Sequence, residues 1–188
     1  EVAFHTDLND EDQTVHYPDI GTEAADGISK TRYGHSKSTK VIDTVSYVNL
    51  EPGKEYTMKG ILMDKATGKE LLNGDKKITS EVTFTPAEKD GKVEMVFEVP
   101  EGFLAGKTVV AFETCYLEEK EIAVHADIKD EGQTVYYPDI RTEAKDEVTG
   151  AHYGSGTATK LVDTVTYTGL EPGKEYNMKG SRMDQATG

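Results

Sequence analysis

The middle of this chain is a series of short runs in which apolar and polar residues alternate. Ile42–Tyr47 is one such run, and the L-E-P-G that follows it predicts a turn, because Pro provides a fixed φ and Gly a positive φ. Further runs predict strands over residues 55–63, 78–85, 93–99, 108–116, 122–126 and 134–137. Because these strands are short and regularly spaced, without a helical period, they predict an all-β fold of the β-sandwich type.

The chain also repeats itself at a spacing of 120 residues. Glu1–Val15 reads E-V-A-F-H-T-D-L-N-D-E-D-Q-T-V, and Glu121–Val135 reads E-I-A-V-H-A-D-I-K-D-E-G-Q-T-V. Segments 18–68 and 138–188 share P-D-I-x-T-E-A, L-E-P-G-K-E-Y and M-D-x-A-T-G in the same order. A fixed spacing of this kind indicates a repeated structural unit.

The repeat divides the chain into three expected parts. Residues 1–16 are expected to be the C-terminal tail of one unit, residues 17–137 a complete unit, and residues 138–188 the N-terminal part of a third. We therefore expect the chain to be a piece of a longer array of such units.

Composition excludes some classes of partner. Lys and Arg number 21 against 35 Asp and Glu, and the net charge of -14 disfavours binding to nucleic acid or to anionic membranes. No apolar run approaches the roughly 18 residues of a membrane-spanning helix, so membrane insertion is not expected within this chain. Cys115 is the one cysteine, which excludes an intradomain disulfide, and we expect it to act as a small buried hydrophobe.

Two acidic residues interrupt apolar strands. Alternation places Glu113 on the same strand face as Val109 and Ala111, and Asp43 lies within V-I-D-T-V-S-Y. An isolated acid in a strand usually points to solvent or ends the strand, and this is the simplest interpretation of both. The repeat argues against it for Asp43, because Asp163 occupies the matching position of L-V-D-T-V-T-Y.

A polar segment near the end of the complete unit contains a histidine and a glutamine. His125 and Gln133 are eight residues apart, which would separate them by roughly 26 Å along one extended strand. The intervening D-I-K-D-E-G forms turns readily, so a fold-back would bring both side chains to the same end of the sandwich. Taken singly, each residue is more often a solvated side chain. His5 and Gln13 are their equivalents in the first copy.

No metal or other cofactor is expected. Asp7, Asn9 and Glu11 have the spacing of the first calcium ligands of a twelve-residue loop, but Asp12 stands where that loop requires Gly. In the second copy Lys129 replaces a ligand. The remaining histidines have no metal-ligand spacing.

Several of these motifs together resemble a known family. I-G-T-E-A-A-D, V-I-D-T-V-S-Y, L-E-P-G-K-E-Y-T-M-K-G-I-L-M-D-K-A-T-G, K-T-V-V-A-F-E and V-H-A-D-I-K-D-E-G-Q-T-V occur in order. They are similar to the VaFE repeats, the Thr-Gln ester-bond domains in the stalks of Gram-positive surface adhesins. The resemblance covers essentially the whole chain and implies immunoglobulin-like sandwiches, one complete and two partial.

The resemblance also implies a covalent crosslink. In such domains a threonine of the first strand and a glutamine of the last form an ester, assisted by Asp, Glu and His; by motif these are Thr22, Gln133, Asp43, Glu113 and His125. The chemistry needs a base for the hydroxyl, a proton for the leaving amine and a donor for the oxyanion. Two adjacent buried carboxyls would share a proton near neutral pH and so provide an acid–base pair.

The partial units hold only part of this set. Residues 138–188 contain Thr142 and Asp163 but no equivalents of Glu113, His125 or Gln133, and the N-terminal tail has His5 and Gln13 without a threonine partner. The crosslink is therefore expected in residues 17–137 alone, and no stable core is expected in residues 138–188.

The resemblance implies a structural role outside the cell. The chain is expected to be a self-crosslinked stalk repeat of a cell-wall-anchored protein, with neighbouring repeats as partners and any host ligand bound elsewhere. The crosslinking reaction turns over once, so the domain is not an enzyme in the usual sense. Three alternatives are an enzyme acting on external substrates, a ligand-binding sandwich, and an isopeptide-bonded domain, which requires a buried Lys opposite Asn or Asp.

Overall fold

The computed structural model describes residues 2–157 and 160–187 as an almost entirely β-structured chain. Among these residues the regular elements are strands and one 3-10 turn at Glu11–Gln13. In chain order the strands are β1 (Asp19–Asp26), β2 (Lys40–Val48), β3 (Tyr56–Asp64), β4 (Lys69–Glu70), β5 (Leu72–Asn73), β6 (Lys76–Lys77), β7 (Thr79–Phe84), β8 (Gly91–Glu98), β9 (Thr108–Leu117), β10 (Lys120–His125), β11 (Thr134–Tyr136), β12 (Asp139–Asp146) and β13 (Leu161–Thr168). In this part of the chain no helix has the length and hydropathy needed to span a bilayer.

The first sheet of the complete unit has the order β1-β2-β8. Strand β2 is its centre, paired antiparallel with β1 on one edge and with β8 on the other. Alternate residues of β2 are buried while those between them are only half-buried. One face of this sheet therefore covers the core, as the alternating pattern predicts.

The second sheet is built around β9 and β3, which pair antiparallel along most of their length. β3 pairs with β7 and β4 on its far edge, whereas β10 and β11 both pair with β9 on its other edge. Between β10 and β11 the chain leaves the sheet at residues 126–133 and then returns to the same edge. This interruption places the ends of β10 and β11 next to each other.

The core lies between the inner faces of the two sheets. β9 faces it with Val109, Ala111 and Cys115, and β8 faces it with Met95 and Phe97, all of them essentially inaccessible to solvent. Strands of two antiparallel sheets that interdigitate in this way form an immunoglobulin-like sandwich. The predicted all-β sandwich is confirmed.

The strands predicted from alternation agree with the structure within one or two residues at each end. Within the complete unit, alternation did not predict two groups of strands, although the family resemblance implied a first strand at Thr22. β1, with the sequence D-I-G-T-E-A-A-D, contains few β-forming residues, and its position depends on pairing with β2. The two-residue strands β4, β5 and β6 lie in a largely polar segment, residues 69–77, whose sequence does not alternate.

The two partial units are exposed. Among the described residues, none of 2–17 and none of 138–187 is buried. Within the third unit, β12 and β13 pair in the register of β1 and β2, with Thr142 opposite Val165 and Ala144 opposite Asp163. β12 and β13 therefore form a strand pair that no second sheet covers within the described chain.

Candidate functional site

Thr22 and Asp43 enter the core from the first sheet. Thr22 lies opposite Val45, and Asp43 lies opposite Ala24 two residues further along, so that both face inward. The Asp43 side chain is completely buried, and the Thr22 hydroxyl is enclosed although the residue as a whole is half-buried. The interpretation of Asp43 as a solvent-facing acid is wrong.

Glu113 enters the same region from the second sheet. It shares the inner face of β9 with Val109, Ala111 and Cys115 and is only 1% exposed. The outward interpretation is therefore wrong for Glu113 as well. His125 lies directly opposite Glu113 in the β10–β9 pair, at the residue where β10 ends.

Gln133 reaches the cluster from the end of the interrupting loop. Its carbonyl accepts the backbone N–H of Ala111 at 3.1 Å, which aligns the residue with the inner face of β9. Its Nε2 donates to Glu113 Oε2 at 2.9 Å and to the carbonyl of His125 at 3.4 Å. The fold-back expected between His125 and Gln133 is present.

The first strand holds this loop in place through backbone contacts. The N–H of Ala24 donates to the carbonyl of Gly132 at 2.9 Å, and a Cβ added at Gly132 would lie 3.3 Å from the carbonyl oxygen of Thr22. The absence of a side chain at Gly132 thus allows the residue before Gln133 to approach Thr22 closely. Thr22 and Gln133, from the two ends of the unit, are thereby brought side by side.

The cluster contains an unusual group of unpartnered atoms. Across the described residues, the enclosed side-chain N and O atoms without a hydrogen-bond partner are Thr22 Oγ1, Asp43 Oδ1, Asp43 Oδ2, Glu113 Oε1 and Gln133 Oε1. All belong to these four residues. Leaving a buried polar atom unpaired costs on the order of 1–3 kcal/mol, so such a concentration is expected where function, rather than stability, determines the side chains.

Burial controls the protonation of the two acids. Desolvation, reinforced by the neighbouring Asp43 carboxyl, raises the pKa of Glu113 to about 10. Desolvation also raises the pKa of Asp43, although Glu113 and His125 partly oppose this effect. The Thr22 hydroxyl and the Asp43 carboxyl lie close enough to Glu113 to affect its pKa without forming a hydrogen bond of normal geometry. At neutral pH Glu113 is therefore protonated and can serve as a proton donor.

His125 is held by two acceptors. Its Nε2 lies 2.8 Å from Asp130 Oδ2, and its Nδ1 lies 3.2 Å from the carbonyl of Ile20. Each ring nitrogen thus has an oxygen partner, one in the loop and one in the first strand. The hydrogen bond with His125 is the largest factor that lowers the pKa of Asp130. The imidazole thus links the loop to the first strand.

Asp130 is a site residue that the sequence analysis missed. Its Oδ1 also accepts the N–H of Gly132 at 2.7 Å, so one carboxylate orients both the histidine ring and the residue before Gln133. A signal was available, since Asp10 follows His5 at the same spacing as Asp130 follows His125.

The N-terminal tail repeats the hydrogen bonds of this loop. His5 Nε2 lies 2.6 Å from Asp10 Oδ2, and Asp10 Oδ1 accepts the N–H of Asp12 at 2.9 Å. Thr14 Oγ1 donates to the carbonyl of Asp10 at 2.9 Å, as Thr134 Oγ1 does to the carbonyl of Asp130 at 2.6 Å. Since the tail has no sandwich around it, the loop conformation is encoded locally.

The remaining candidate residues lie apart from the cluster. Thr142 and Asp163 are exposed on the hairpin of the third unit, and Gln13, like His5, is exposed in the tail. Cys115 is buried, as expected, and desolvation raises the pKa of its thiol to about 11. Within residues 2–157 and 160–187, no group of three or more His, Cys, Asp or Glu side chains is arranged to hold a metal ion.

Comparison with models of protein families assigns the chain to one family. A family model described as "T-Q ester bond containing domain" matches residues 1–17, 18–137 and 138–188. The chain belongs to this family. The resemblance deduced from the sequence motifs is confirmed. In this T-Q ester bond domain, the Thr22 hydroxyl and the Gln133 carboxamide oxygen are both enclosed and have no hydrogen-bond partner.

Comparisons with other proteins concern the fold. A bacterial adhesin from Mobiluncus mulieris "containing intramolecular disulfide, isopeptide, and ester bond cross-links" matches with a TM-score of 0.52 and 14% identity, over 81% of this chain and 76% of that one. A second crystal form of that adhesin matches with a TM-score of 0.48 and 12% identity over the same shares. The search of curated proteins gives no significant match.

Proposed function

We propose that Thr22 and Gln133 form an intramolecular ester and that residues 17–137 serve as a self-crosslinked structural repeat of a surface adhesin. Family membership supports the type of bond, and the M. mulieris protein, which shares the fold, is described as an adhesin with ester bond cross-links. Neighbouring repeats of the same chain are then its immediate partners, and the protein is displayed on the cell surface and anchored in the cell wall. Any host ligand binds elsewhere in the full protein.

The observation that supports the ester best is the set of unpartnered atoms. A hydroxyl, a carboxamide oxygen and three carboxyl oxygens lie enclosed together without hydrogen bonds, although each could have been replaced by an apolar group of similar shape. A stable core would not retain them. A reaction that consumes the hydroxyl and the carboxamide explains their presence.

In this reaction Glu113, whose pKa burial raises to about 10, supplies a proton, and Asp43 acts as the base in its ionised form. Asp43 takes the proton of Thr22 Oγ1 as the oxygen attacks Gln133 Cδ and forms a tetrahedral intermediate. The C–N bond then breaks, the nitrogen receives the proton of Glu113, and ammonia leaves. The distance of 2.9 Å between Glu113 Oε2 and Gln133 Nε2 suits this transfer. Passage of a proton from Asp43 to Glu113 restores both acids, so the net change is an ester and one ammonia.

His125 acts in this proposal as a positioning and electrostatic group. Its two ring nitrogens face Asp130 and the carbonyl of Ile20, so neither is directed at the Thr22 hydroxyl as a base would be. Burial raises the pKa of Asp43, and the nearby imidazole opposes this effect, which helps Asp43 to act as the base. The carbonyl of His125 also contacts Nε2 of Gln133 and helps to orient the carboxamide.

The alternatives have less support. An isopeptide requires a buried lysine, and none of the lysines in the described ranges is buried. An enzyme acting on external substrates requires access to the nucleophile, whereas the Thr22 hydroxyl is enclosed and the neighbouring Asp43, Glu113 and Gln133 are at most 1% exposed. The same burial means that the reaction has only the protein itself as substrate, and a single turnover follows from that.

Intact-mass measurement of the folded full chain tests the proposal. We expect the sequence mass less one ammonia, and alkaline treatment should then add one water and leave Glu at position 133. Gln133→Ala should abolish the mass loss, whereas Gln13→Ala, its equivalent in the tail, should retain it. A folded wild-type chain at full sequence mass would refute the crosslink.

Single-molecule pulling tests the structural role. The ester would join the first strand to the end of the last loop, so that tension crosses the bond and residues 23–132 stay unloaded. Under force, the wild-type unit should extend only by the segments outside the bond, whereas Thr22→Ala should release the whole contour. Equal extension of both proteins would contradict the proposal that the ester carries the tension, even if the ester is present.

A further inference from the structure

The end of the complete unit is fixed more firmly than a linker would be. Tyr137, the residue before Pro138, is only 1% exposed; its hydroxyl donates to Asp26 Oδ1 at 3.1 Å, and its N–H donates to the carbonyl of Lys107 at 2.9 Å. Tyr17 occupies the same motif position before the complete unit, and it is 78% exposed. The tyrosine of this motif therefore belongs to the preceding unit and is buried only when that unit is complete.

The Asp26 carboxylate holds this tyrosine in place. The same carboxylate also accepts the N–H groups of Ser29 and His35 at 2.8 and 3.2 Å, which shapes the loop after β1 into a cover for the tyrosine ring. A Cβ added at Gly34 would overlap that ring. Although burial opposes it, this set of hydrogen bonds lowers the pKa of Asp26, so the carboxylate stays charged and keeps its partners. The point at which the chain leaves the unit is thus fixed.

A loop of the complete unit lies against the next unit at this point. Leu104–Lys107 precedes β9, and a Cβ added at Gly106 would lie 3.2 Å from the Cβ of Asp139. Ala105 and Lys107 line one side of a groove whose other side is formed by residues of the third unit, namely Asp139, Arg141, Thr166, Tyr167 and Thr168. Lys107 and Asp139 provide opposite charges across this groove.

The peptide between the units packs against the same hairpin. No Cβ fits at Gly169, because it would overlap the carbonyl oxygen of Tyr137. Gly169 has a positive φ of 68°, which glycine adopts without strain. The equivalent residue of the complete unit, Asn49, instead donates its side-chain amide to the carbonyl of Tyr17 at 3.0 Å. Both joints thus hold the carbonyl of the motif tyrosine against the loop after the second strand.

We propose that consecutive units dock head to tail, with the Leu104–Lys107 loop of one unit seated on the first two strands of the next. The occupant of this surface is another copy of the same domain in the same chain. On the complete unit the equivalent surface is formed by Asp19, Gly21, Ser46 and Val48, whereas Tyr47 is buried in the core. This surface is uncovered, since Asp19 and Val48 are exposed and a Cβ at Gly21 would meet no atom within 4 Å. The joint is then a fixed interface, and it does not depend on the ester.

Engineered cysteine pairs in the full chain test the docking. The Cβ separation suits a disulfide between Gly106→Cys and Asp139→Cys after a small adjustment. Gly102→Cys with Asp139→Cys is the control pair, because Gly102 also has a positive φ and a Cβ there would meet no atom within 4 Å. Under mild oxidation we expect the 106–139 pair to close in most molecules and the 102–139 pair to stay reduced. Closure of both pairs to the same extent would overturn the proposal.

Relaxation of backbone amides in the unmodified chain provides a second measurement that does not depend on the cysteine variants folding. Docking predicts one rotational correlation time for residues 17–137 and for the β12–β13 hairpin. A clearly shorter time for the hairpin would mean that it moves on a free linker and would overturn the proposal.

Discussion

The first hairpin of the complete unit and the hairpin of the third unit have nearly the same sequence and register but different chemistry. Asp43 stands opposite Ala24, and Asp163 stands opposite Ala144 in the same way. Asp43 is fully buried, whereas Asp163 is exposed. The difference shows that the strand pair sets the position of the aspartate, and that the sheet packed over it buries the side chain within the cluster.

The same contrast holds at the other end of the unit. The loop that contains His125 and Asp130 has the same internal hydrogen bonds as the tail loop that contains His5 and Asp10. Only the loop that contains His125 places its glutamine, Gln133, against a buried glutamate, Glu113. Each half of the site is thus preformed locally, and the reaction requires the sandwich to bring the halves together. Paired substitutions in equivalent positions test this comparison.

The largest effect is expected when Thr22 is replaced by alanine and compared with the same change at its equivalent, Thr142. Thr22→Ala should abolish the ammonia loss, and opening a loop of roughly 100 residues should lower the free energy of unfolding by about 4–5 kcal/mol on the chain-entropy model. Thr142→Ala should change neither quantity, because Thr142 is exposed on the β12–β13 hairpin, which no second sheet covers. Intact mass and chemical denaturation measure both. If Thr142→Ala also destabilises the chain, the hairpin is part of the folded core.

Exchange of the paired aspartates should separate crosslinking from folding. Asp43→Asn introduces a side chain of the same shape that has no charge and cannot act as the base. The sandwich should therefore fold and remain at full sequence mass. Asp163→Asn should crosslink as the wild type does. The check is the mass of folded protein at a fixed time after synthesis. Normal ammonia loss in Asp43→Asn would remove Asp43 from the proposed mechanism.

A smaller effect is expected from the aspartates of the two loops. Asp130→Asn should slow the crosslinking without preventing it, because the histidine ring and Gly132 lose their common carboxylate. Asp10→Asn should leave the rate unchanged. Time courses by intact mass, with samples quenched in acid, compare the two variants. Equal rates would mean that the ring is held sufficiently by the carbonyl of Ile20.

A further prediction concerns the pH dependence of stability in a chain that lacks the crosslink. Glu113 has a pKa of about 10 in the fold against 4.5 for an ordinary glutamate, so the folded state binds its proton more tightly than the unfolded state. Its contribution to stability is complete below pH 4.5 and is lost as the pH rises towards 10. In a Thr22→Ala background, the free energy of unfolding should therefore decrease across this range. Adding Glu113→Gln should flatten the profile, and an unchanged slope would assign it to other groups.

Much of the fold follows from local patterns in the sequence. Alternation identified β2, β3 and β7 to β11 within one or two residues, since a strand with one buried face must alternate. β1 was not found in this way, because Gly21 and the alanines of D-I-G-T-E-A-A-D give it little strand character and its pairing partner decides its conformation. Asp130 was overlooked because its role depends on a contact across the loop with His125.

The sequence by itself determined the repeat, the positions of the alternating strands and their turns, and the conformation of the H-x4-D loop. These depend on hydrogen bonds and side-chain alternation within short stretches, which is why they recur in the exposed hairpin and the exposed tail. Only the tertiary structure decided which copy has its polar side chains assembled in a buried cluster. Burial of Asp43 and Glu113, the raised pKa of each and the meeting of Thr22 with Gln133 require two sheets to exclude water from one shared space.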